Sequence, residues 1–248
     1  MNKRENGIYK ILDAALALFR ENGYRDTSVR QIAEKAGVSL GMINHYFGSK
    51  ETLGAQVLSL LDTYSISTQK RRLSFHDDPI LYDLVSTRVL YDFMARRGYW
   101  NFYLDSLRYD FFFKQLFSRP PVLIRELQRF YRFDASEDAI LLYSRYMPYM
   151  MEKTIVLKKV DGFFPTISYD EIPYMICHTA MSHFIPEEDI RARDGESKRL
   201  AAEIAAELKP FPPREMTAEF ARGLGESMSE QSGRLRDFWL SQISASLR

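Results

Sequence analysis

Apolar residues recur three and four positions apart along nearly the whole chain, which is the period of an α-helix. The first stripe runs from Ile8 to Phe19, and Gly23 follows the helix as its stop signal. Further helical patterns, separated by proline or glycine, cover about 79–96, 99–117, 120–132, 136–159, 169–186, 188–208 and the chain from about 213. No alternating pattern of useful strand length occurs. The sequence therefore predicts an all-α fold.

Residues 27–53 predict a helix-turn-helix. Ser28 and Gln31 have the spacing of a capping box at the start of a first helix, and Gly37 supplies the left-handed turn that ends it. Ser39 is an N-cap residue type for a second short helix, which another glycine ends. In this motif the second helix enters the major groove of duplex DNA. The segment therefore predicts a DNA partner.

The outward face of the second helix carries no acid, as a surface that approaches phosphates requires. Asn44 can make a bidentate contact with adenine, while Leu40 can meet a thymine methyl group. The predicted DNA-binding residues are Ser28, Arg30, Ser39, Leu40, Gly41, Met42, Asn44, His45, Tyr46 and Lys50, of which Tyr46 and Lys50 would contact phosphate. The alternative is an ordinary three-helix bundle whose polar face meets only water.

A family pattern lies between Ile11 and Leu53. Its residues are the run from Ile11 to Tyr24, Thr27-Ser28-Val29, Ile32-Ala33, Ala36-Gly37-Val38-Ser39, Gly41, Ile43, Tyr46-Phe47 and Ser49-Lys50-Glu51. This pattern resembles the tetracycline-repressor-like (TetR) transcriptional regulators. The resemblance implies an all-helical homodimer with an N-terminal DNA-binding domain and a larger C-terminal domain that binds a small molecule and dimerises. Leu40 and Asn44 depart from the usual family residues, so the resemblance implies no particular operator sequence.

A third helix starts near Ser49 and is predicted to run past Tyr64 towards residue 72, where it connects the DNA-binding part to the rest. Asp78 and Pro79 then break the chain, because both are turn residues. We place the domain boundary inside the connecting helix. The predicted domains are 1–54, which binds DNA, and 55–248, which binds an effector and dimerises.

Aromatic residues are concentrated between Tyr91 and Phe117, at too many helical positions to face a single core. With nearby methionines they predict an apolar pocket for a lipophilic or aromatic effector. The predicted ligand-binding residues are Tyr99, Trp100, Phe102, Tyr103, Met147 and Met150. Tyrosine hydroxyls, Arg96, Arg97 or Arg108 would anchor a polar or anionic end of this ligand. Pro148 is expected to kink its helix beside the pocket. Plain core packing is the alternative for all of these residues.

Two helical faces near the end of the chain are candidates for dimerisation. One face contains Ile172, Met175, Ile176, Thr179 and His183, and the other contains Phe220, Leu224, Met228, Leu235, Phe238 and Trp239. Two such helices from each subunit would form a four-helix interface. A dimer also suits the reading of two major grooves roughly 34 Å apart. Burial within the chain is the alternative.

Composition narrows the class of protein further. The net charge of the 248 residues is only +1, but residues 1–50 hold eight Lys or Arg against five acids, a modest footprint for a specific DNA binder. Cys177 is the single cysteine, so no disulfide forms within the chain. No secretory or membrane-spanning pattern occurs, which predicts a cytoplasmic protein without a membrane partner.

Catalytic and cofactor motifs are missing from the sequence. The four histidines, His45, His76, His178 and His183, have no ligand-set spacing. No glycine-rich phosphate loop or nucleophile elbow occurs. We therefore expect no metal, no cofactor and no enzymatic activity. The function predicted is that of a ligand-responsive regulator, most often a repressor in the family it resembles. The alternative is a non-sensing DNA-binding protein whose aromatic domain serves dimerisation or protein docking.

Overall fold

The first helices begin and end at the caps that the sequence supplies. In the computed structural model, which describes residues 2–111, 113 and 121–224, α1 spans Lys3–Asn22, α2 Val29–Ala36, α3 Leu40–Phe47 and α4 Lys50–Gln69. The hydroxyl of Ser28 accepts from the backbone N–H of Gln31 at 3.2 Å, and the Gln31 side chain accepts from the Ser28 N–H at 2.7 Å. Gly37 lies in the left-handed region with φ 63°. The predicted helix-turn-helix is confirmed in its local geometry.

Two details of this region differ from the prediction. Helix α1 begins at Lys3 rather than at Ile8, because Asn2 and Glu5 form a capping box ahead of the apolar stripe. Ser39 occupies the N-cap position of α3, but its hydroxyl makes no capping hydrogen bond. Helix α4 runs unbroken from the helix-turn-helix into the rest of the molecule, as the predicted connecting helix requires.

The remaining described helices build the C-terminal part. They are α5 (Pro79–Arg96), α6 (Trp100–Arg108), α7 (Val122–Tyr131), α8 (Glu137–Leu141), a π-helical turn (Leu142–Tyr146), α9 (Met147–Val160), α10 (Ile172–Met181), α11 (Glu187–Ala192) and α12 (Asp194–Glu207); residues 214–224 are also helical. The described residues contain no strand. The all-α fold, with a small N-terminal helix-turn-helix domain and a larger helical C-terminal domain, is therefore confirmed.

Three predicted segments are interrupted. The segment predicted at 99–117 ends as α6 at Arg108, and Asp110 then has a positive φ of 54°. The segment at 188–208 divides near Arg193 into α11 and α12. Pro148 sits in the first turn of α9, directly after the π-helical turn. The wider π-helical turn accommodates a proline, which lacks an N–H and crowds the preceding turn.

One hydrophobic core extends from α1–α3 into the C-terminal helices. Phe19 of α1 stacks on Phe102 of α6, with ring centroids 5.0 Å apart, and both side chains are fully buried. A smaller core, which includes Ile80, Leu127 and Met181, lies where α5, α7 and α10 meet. Helix α12 packs along α5, and α10 packs against α9 and α5. The space left between these helices forms the cavity described below.

Candidate nucleic-acid interface and internal cavity

Helix α3 presents a polar and apolar face to solvent. Asn44 and His45 are exposed, and the side chain of Leu40 is 44% exposed although it is apolar. Ile43 and Phe47 point into the core and hold the helix in place. The other predicted DNA-binding residues that are exposed are Ser28, Arg30, Ser39 and Gly41. This face has the groups that contact base edges and phosphates.

The helical pattern predicted that Met42 and Tyr46 face outward. This prediction is wrong in part, because both side chains are partly buried against α1. A Cβ atom placed on Gly7 would lie 3.0 Å from Tyr46 Cε2 and 3.1 Å from Met42 Cε. Gly7 therefore permits a close approach of α1 and α3. Sequence reasoning missed Gly7, although a glycine on the buried face of a helix often marks such a contact.

Lys50 is also partly buried. Its Nζ lies 4.1 Å from the centroid of the Tyr24 ring and donates to the backbone carbonyl of Arg25 at 3.5 Å. Burial lowers the pKa of Lys50 and raises the pKa of Tyr24 to about 12. In this arrangement Lys50 joins the start of α4 to the loop between α1 and α2.

An internal cavity of about 800 Å³ lies between α4, α5, α6, α7, the π-helical turn with α9, and α10. Its apolar wall includes Leu58, Ile66, Leu90, Leu107, Leu123, Ile124 and Ile176, and its polar wall includes Asp62, Asp83, Ser86, Thr87, Tyr91, Tyr103, Arg145, Tyr149 and Glu152. A cavity of this size and mixed lining is suited to a small organic molecule.

Of the six predicted ligand-binding residues, only Tyr103 lines this cavity. Tyr99 and Phe102 are fully buried in the core, where their rings stack on other aromatic side chains. Trp100 packs against Tyr169 without lining the cavity. Met147 and Met150 are 44% and 38% exposed, because Pro148, Tyr149 and Glu152 occupy the cavity-facing side of α9.

The arginines predicted to anchor the ligand are also used elsewhere. Arg96 pairs with Asp92, Arg97 donates to the carbonyl of Ala205 at 3.4 Å, and Arg108 lies 3.2 Å from Asp105. None of the three arginines lines the cavity. Their prediction rested on closeness in sequence to the aromatic residues, which does not place a side chain on the cavity wall.

A carboxylate stands at the polar side of the cavity. The hydroxyls of Tyr91 and Tyr103 both donate to Oε1 of Glu152. Burial raises the pKa of Glu152, and this effect outweighs the hydrogen bonds from the two tyrosines. Burial also raises the pKa of each tyrosine, so both hydroxyls remain donors. Sequence reasoning missed this site, although a single acid in the apolar run from Met147 to Leu157 is a signal of it.

The cavity contains further charges. Asp62, Asp83, Arg145 and the more exposed Lys70 belong to its lining. Burial raises the pKa of Asp83, and nearby Arg145 partly opposes that shift. With Glu152, the lining therefore holds three acids, a lysine, an arginine and the imidazole of His76. Titratable groups with raised pKa values in a cavity are typical of functional sites.

Helix α6 contacts both the cavity and the helix-turn-helix domain. Tyr103 faces the cavity, while Asp105 Oδ2 accepts from the backbone N–H of Arg25 at 3.0 Å. A second contact joins the domains at the preceding turn, where Arg20 donates to the carbonyl of Arg97 at 2.6 Å. A displacement of α6 would therefore reach the loop before α2.

The predicted dimerisation faces are partly used within the chain. Ile172 is fully buried and Ile176 lines the cavity, so these two residues serve the fold of one subunit. Met175 and Thr179 are partly buried, and His183 is exposed and stacks on Tyr143. On the second face, Phe220 and Leu224 pack partly against the core. Met228, Leu235, Phe238 and Trp239 lie outside the described residues.

Two further searches cover residues 2–111, 113 and 121–224. In those ranges no three His, Cys, Asp or Glu side chains form a group that could hold a metal ion. No helix in the same ranges combines the length and the apolar character needed to cross a membrane.

The fold and the exposed face of α3 define a helix-turn-helix domain. Residues 11–57 match the model described as "Bacterial regulatory proteins, tetR family". The N-terminal domain of the chain is therefore similar to that of this family.

Individual relatives are similar over the same part of the chain. The HTH-type transcriptional regulator HbdR of Aromatoleum sp. (strain CIB) is 46% identical over 61 residues, which cover 24% of this chain and 27% of HbdR. The HTH-type transcriptional repressor KstR2 of Rhodococcus jostii (strain RHA1) is 45% identical over 49 residues, which cover 20% of this chain and 24% of KstR2. The match thus spans about a quarter of these relatives.

A solved gamma-butyrolactone receptor (ArpA like protein) is similar to this chain with a TM-score of 0.40 at 18% identity. That match covers 82% of this chain and 100% of the receptor.

Proposed function

We propose that this protein is a ligand-responsive transcriptional regulator. As a homodimer it binds a two-fold symmetric operator, and a lipophilic or aromatic small molecule in the cavity releases it. Two relatives matched over the N-terminal domain are named a transcriptional regulator and a repressor, which supports the class and favours repression. A protein with this role acts at the chromosome, so we place it in the cytoplasm.

The observation that carries the proposal is the double contact of α6. Tyr103 donates to Glu152 in the cavity, and Asp105, two residues later, accepts from the Arg25 N–H in the loop before α2. A ligand that displaces Tyr103 therefore changes a contact with the DNA-binding domain. Effector and DNA then favour different arrangements of one element, which is what coupling between two sites requires.

On DNA, α3 would lie in the major groove. Asn44 would read adenine and Leu40 a thymine methyl group, while Ser28, Arg30 and the start of α3 would hold phosphates. The remaining proposed contacts are Ser39, Gly41, Met42, His45, Tyr46 and Lys50. The partial burial of Met42, Tyr46 and Lys50 makes them the less direct members of the set, since each also packs within its own domain.

The alternative function is a DNA-binding protein that senses nothing. The cavity opposes this alternative, because a domain used only for dimerisation or docking has no need of an 800 Å³ space with carboxylates on its wall.

The test measures operator affinity with and without compounds that bind the cavity. Fragments retained by the protein would first be selected from the genomic DNA of its own organism, and one would serve as the operator. We expect cavity ligands to lower the affinity of the wild type by about ten-fold or more, a typical coupling strength. In Asp105→Ala the response should shrink, whereas Asp105→Asn, which retains an acceptor oxygen, should preserve more of it. DNA affinity that no bound compound alters would favour the non-sensing alternative.

A further inference from the structure

Glu152 is a cavity carboxylate with a free acceptor position. Its Oε1 accepts from Tyr91 and Tyr103, and no hydrogen bond to Oε2 comes from any part of the chain that the structure describes. No lysine or arginine among those residues lies within ion-pair distance of it. A buried carboxylate without a paired cation lowers the stability of a folded protein.

The cations near Glu152 that the structure describes do not pair with its carboxylate. Lys153, the next residue along α9, pairs with Asp110 outside the cavity lining. Arg145 also lines the cavity, where its charge lowers the pKa of Asp83. Among residues 2–111, 113 and 121–224, the polar side of the cavity at Glu152 is therefore a hydrogen-bond acceptor without a paired cation.

Aromatic rings stand beside this carboxylate. The rings of Tyr91 and Tyr103 are nearly perpendicular, at 71° with centroids 5.5 Å apart, and Tyr149 also lines the cavity. All three side chains are buried. Aromatic faces attract cations, and the apolar wall of α4, α5 and α10 accommodates a hydrophobic tail.

From this geometry we infer that the effector is an amphiphile whose polar end is a protonated amine, bound by Glu152 among the three tyrosine rings. The inference rests on the proposed function in taking this cavity as the effector site. It differs from the anionic ligand end that the nearby arginines suggest in the sequence, because those arginines do not reach the cavity. Ammonium and carboxylate together form a charge-assisted hydrogen bond, which neither a carboxylate nor an alcohol at the ligand's end would form as strongly.

The experiment uses three probes with one tail and different heads: decylammonium, decanol and decanoate, each below its critical micelle concentration. Binding to the full-length protein would be measured by isothermal titration calorimetry near neutral pH. We expect decylammonium to bind at least about ten-fold more tightly than decanoate. Glu152→Gln, which keeps the volume and an acceptor oxygen, should lose most of that preference and leave decanol binding nearly unchanged. Glu188→Gln, at an exposed position outside the cavity, is the matched control and should behave as the wild type.

Tighter binding of decanoate would overturn the inference and would point to Arg145 as the anchor. An amine preference that survives Glu152→Gln would also overturn it, and a circular dichroism spectrum would verify that the variant is folded. The experiment distinguishes the two proposals. Glu152-dependent amine binding that leaves operator affinity unchanged would support the amine ligand class and contradict the proposed ligand-responsive regulation. Operator release by decanoate alone would support the regulation and contradict the amine ligand class.

Discussion

The helix-turn-helix domain and the C-terminal domain, which contains the cavity, differ in how they position their candidate site residues. In the former, short segments place their own functional side chains, since Ser28, Gln31 and Gly37 set the helix that supports α3. In the cavity, Tyr91, Tyr103 and Glu152 come from α5, α6 and α9 and meet only through packing. The candidate DNA-binding surface can therefore be predicted from local sequence, while a candidate ligand site made by three separate helices cannot.

Residues that stabilise the hydrophobic core lie beside residues that line the candidate ligand site. Phe102 and Tyr103 are adjacent on α6, yet Phe102 lies in the core against Phe19 and Tyr103 faces the cavity.

Phe102→Ala should lower the free energy of unfolding by about 3–5 kcal/mol, because it removes a fully buried ring from the shared core. Met147→Ala, at an exposed position, should change it by less than about 0.5 kcal/mol. Urea unfolding followed by circular dichroism measures both. A small decrease in the free energy of unfolding for Phe102→Ala would mean that its ring contributes little to the packing between the two domains.

Asn44→Ala should reduce discrimination at one operator position by about 1–3 kcal/mol while leaving affinity for random DNA nearly unchanged. Arg30→Ala should instead weaken binding to every sequence and flatten the dependence of affinity on salt, because it would remove a phosphate contact. Affinity titrations on operator and random duplexes at several salt concentrations separate the two outcomes. Equal losses on both duplexes for Asn44→Ala would remove it from the base-reading role.

Gly7→Ala should reduce operator affinity by roughly ten-fold, since its new methyl group would displace Tyr46 and Met42 and shift α3. The control is Gly195→Ala in α12, where a Cβ would meet no atom within 4 Å. That control should be neutral or stabilising by up to about 1 kcal/mol, the helix propensity difference between the two residues. Unchanged operator affinity for Gly7→Ala would show that α3 tolerates a wider separation from α1.

Glu152→Gln should change the pH dependence of stability. Burial raises the pKa of Glu152 in the folded chain above the ordinary carboxyl range, so the folded state binds more protons than the unfolded state between the two values. Stability contributed by this group is therefore lost as pH rises through that window. Relative to the wild type, the glutamine variant should become more stable as pH rises above the ordinary carboxyl pKa of 4.5, with chemical denaturation as the measurement. Parallel curves would show that Glu152 titrates normally.

The fold and most helix boundaries could be predicted from the sequence because caps and apolar periodicity act over a few residues. Pro79, for example, opens α5 where the pattern predicts it. The end of the helix after Arg108 could not be predicted, because the residue with positive φ that follows it is Asp110 and not a glycine. The start of α1 was missed for the reverse reason, since Asn2 and Glu5 are polar and lie before the stripe.

The candidate sites divide in the same way. Leu40 and Asn44 follow from their places on α3, but the partial burial of Tyr46 depends on Gly7 in another helix. The aromatic residues indicated the domain that contains the cavity but not the residues of the cavity wall. Tyr99 and Phe102 are instead buried in the hydrophobic core. Glu152 could not be identified as a candidate site residue from the sequence, because its hydrogen bonds from Tyr91 and Tyr103 depend on the packing of three helices.

The central claim is that occupancy of the cavity and binding of DNA are coupled through α6. The most direct test measures operator affinity at increasing decylammonium, together with amine affinity for the free and the operator-bound protein. The account predicts that the operator dissociation constant rises to a plateau. Its fold-increase should equal the product, over the two cavities of the dimer, of the ratio of free-state to DNA-bound amine affinity, as linkage demands. An operator dissociation constant that stays constant while the amine binds saturably at Glu152 would contradict it.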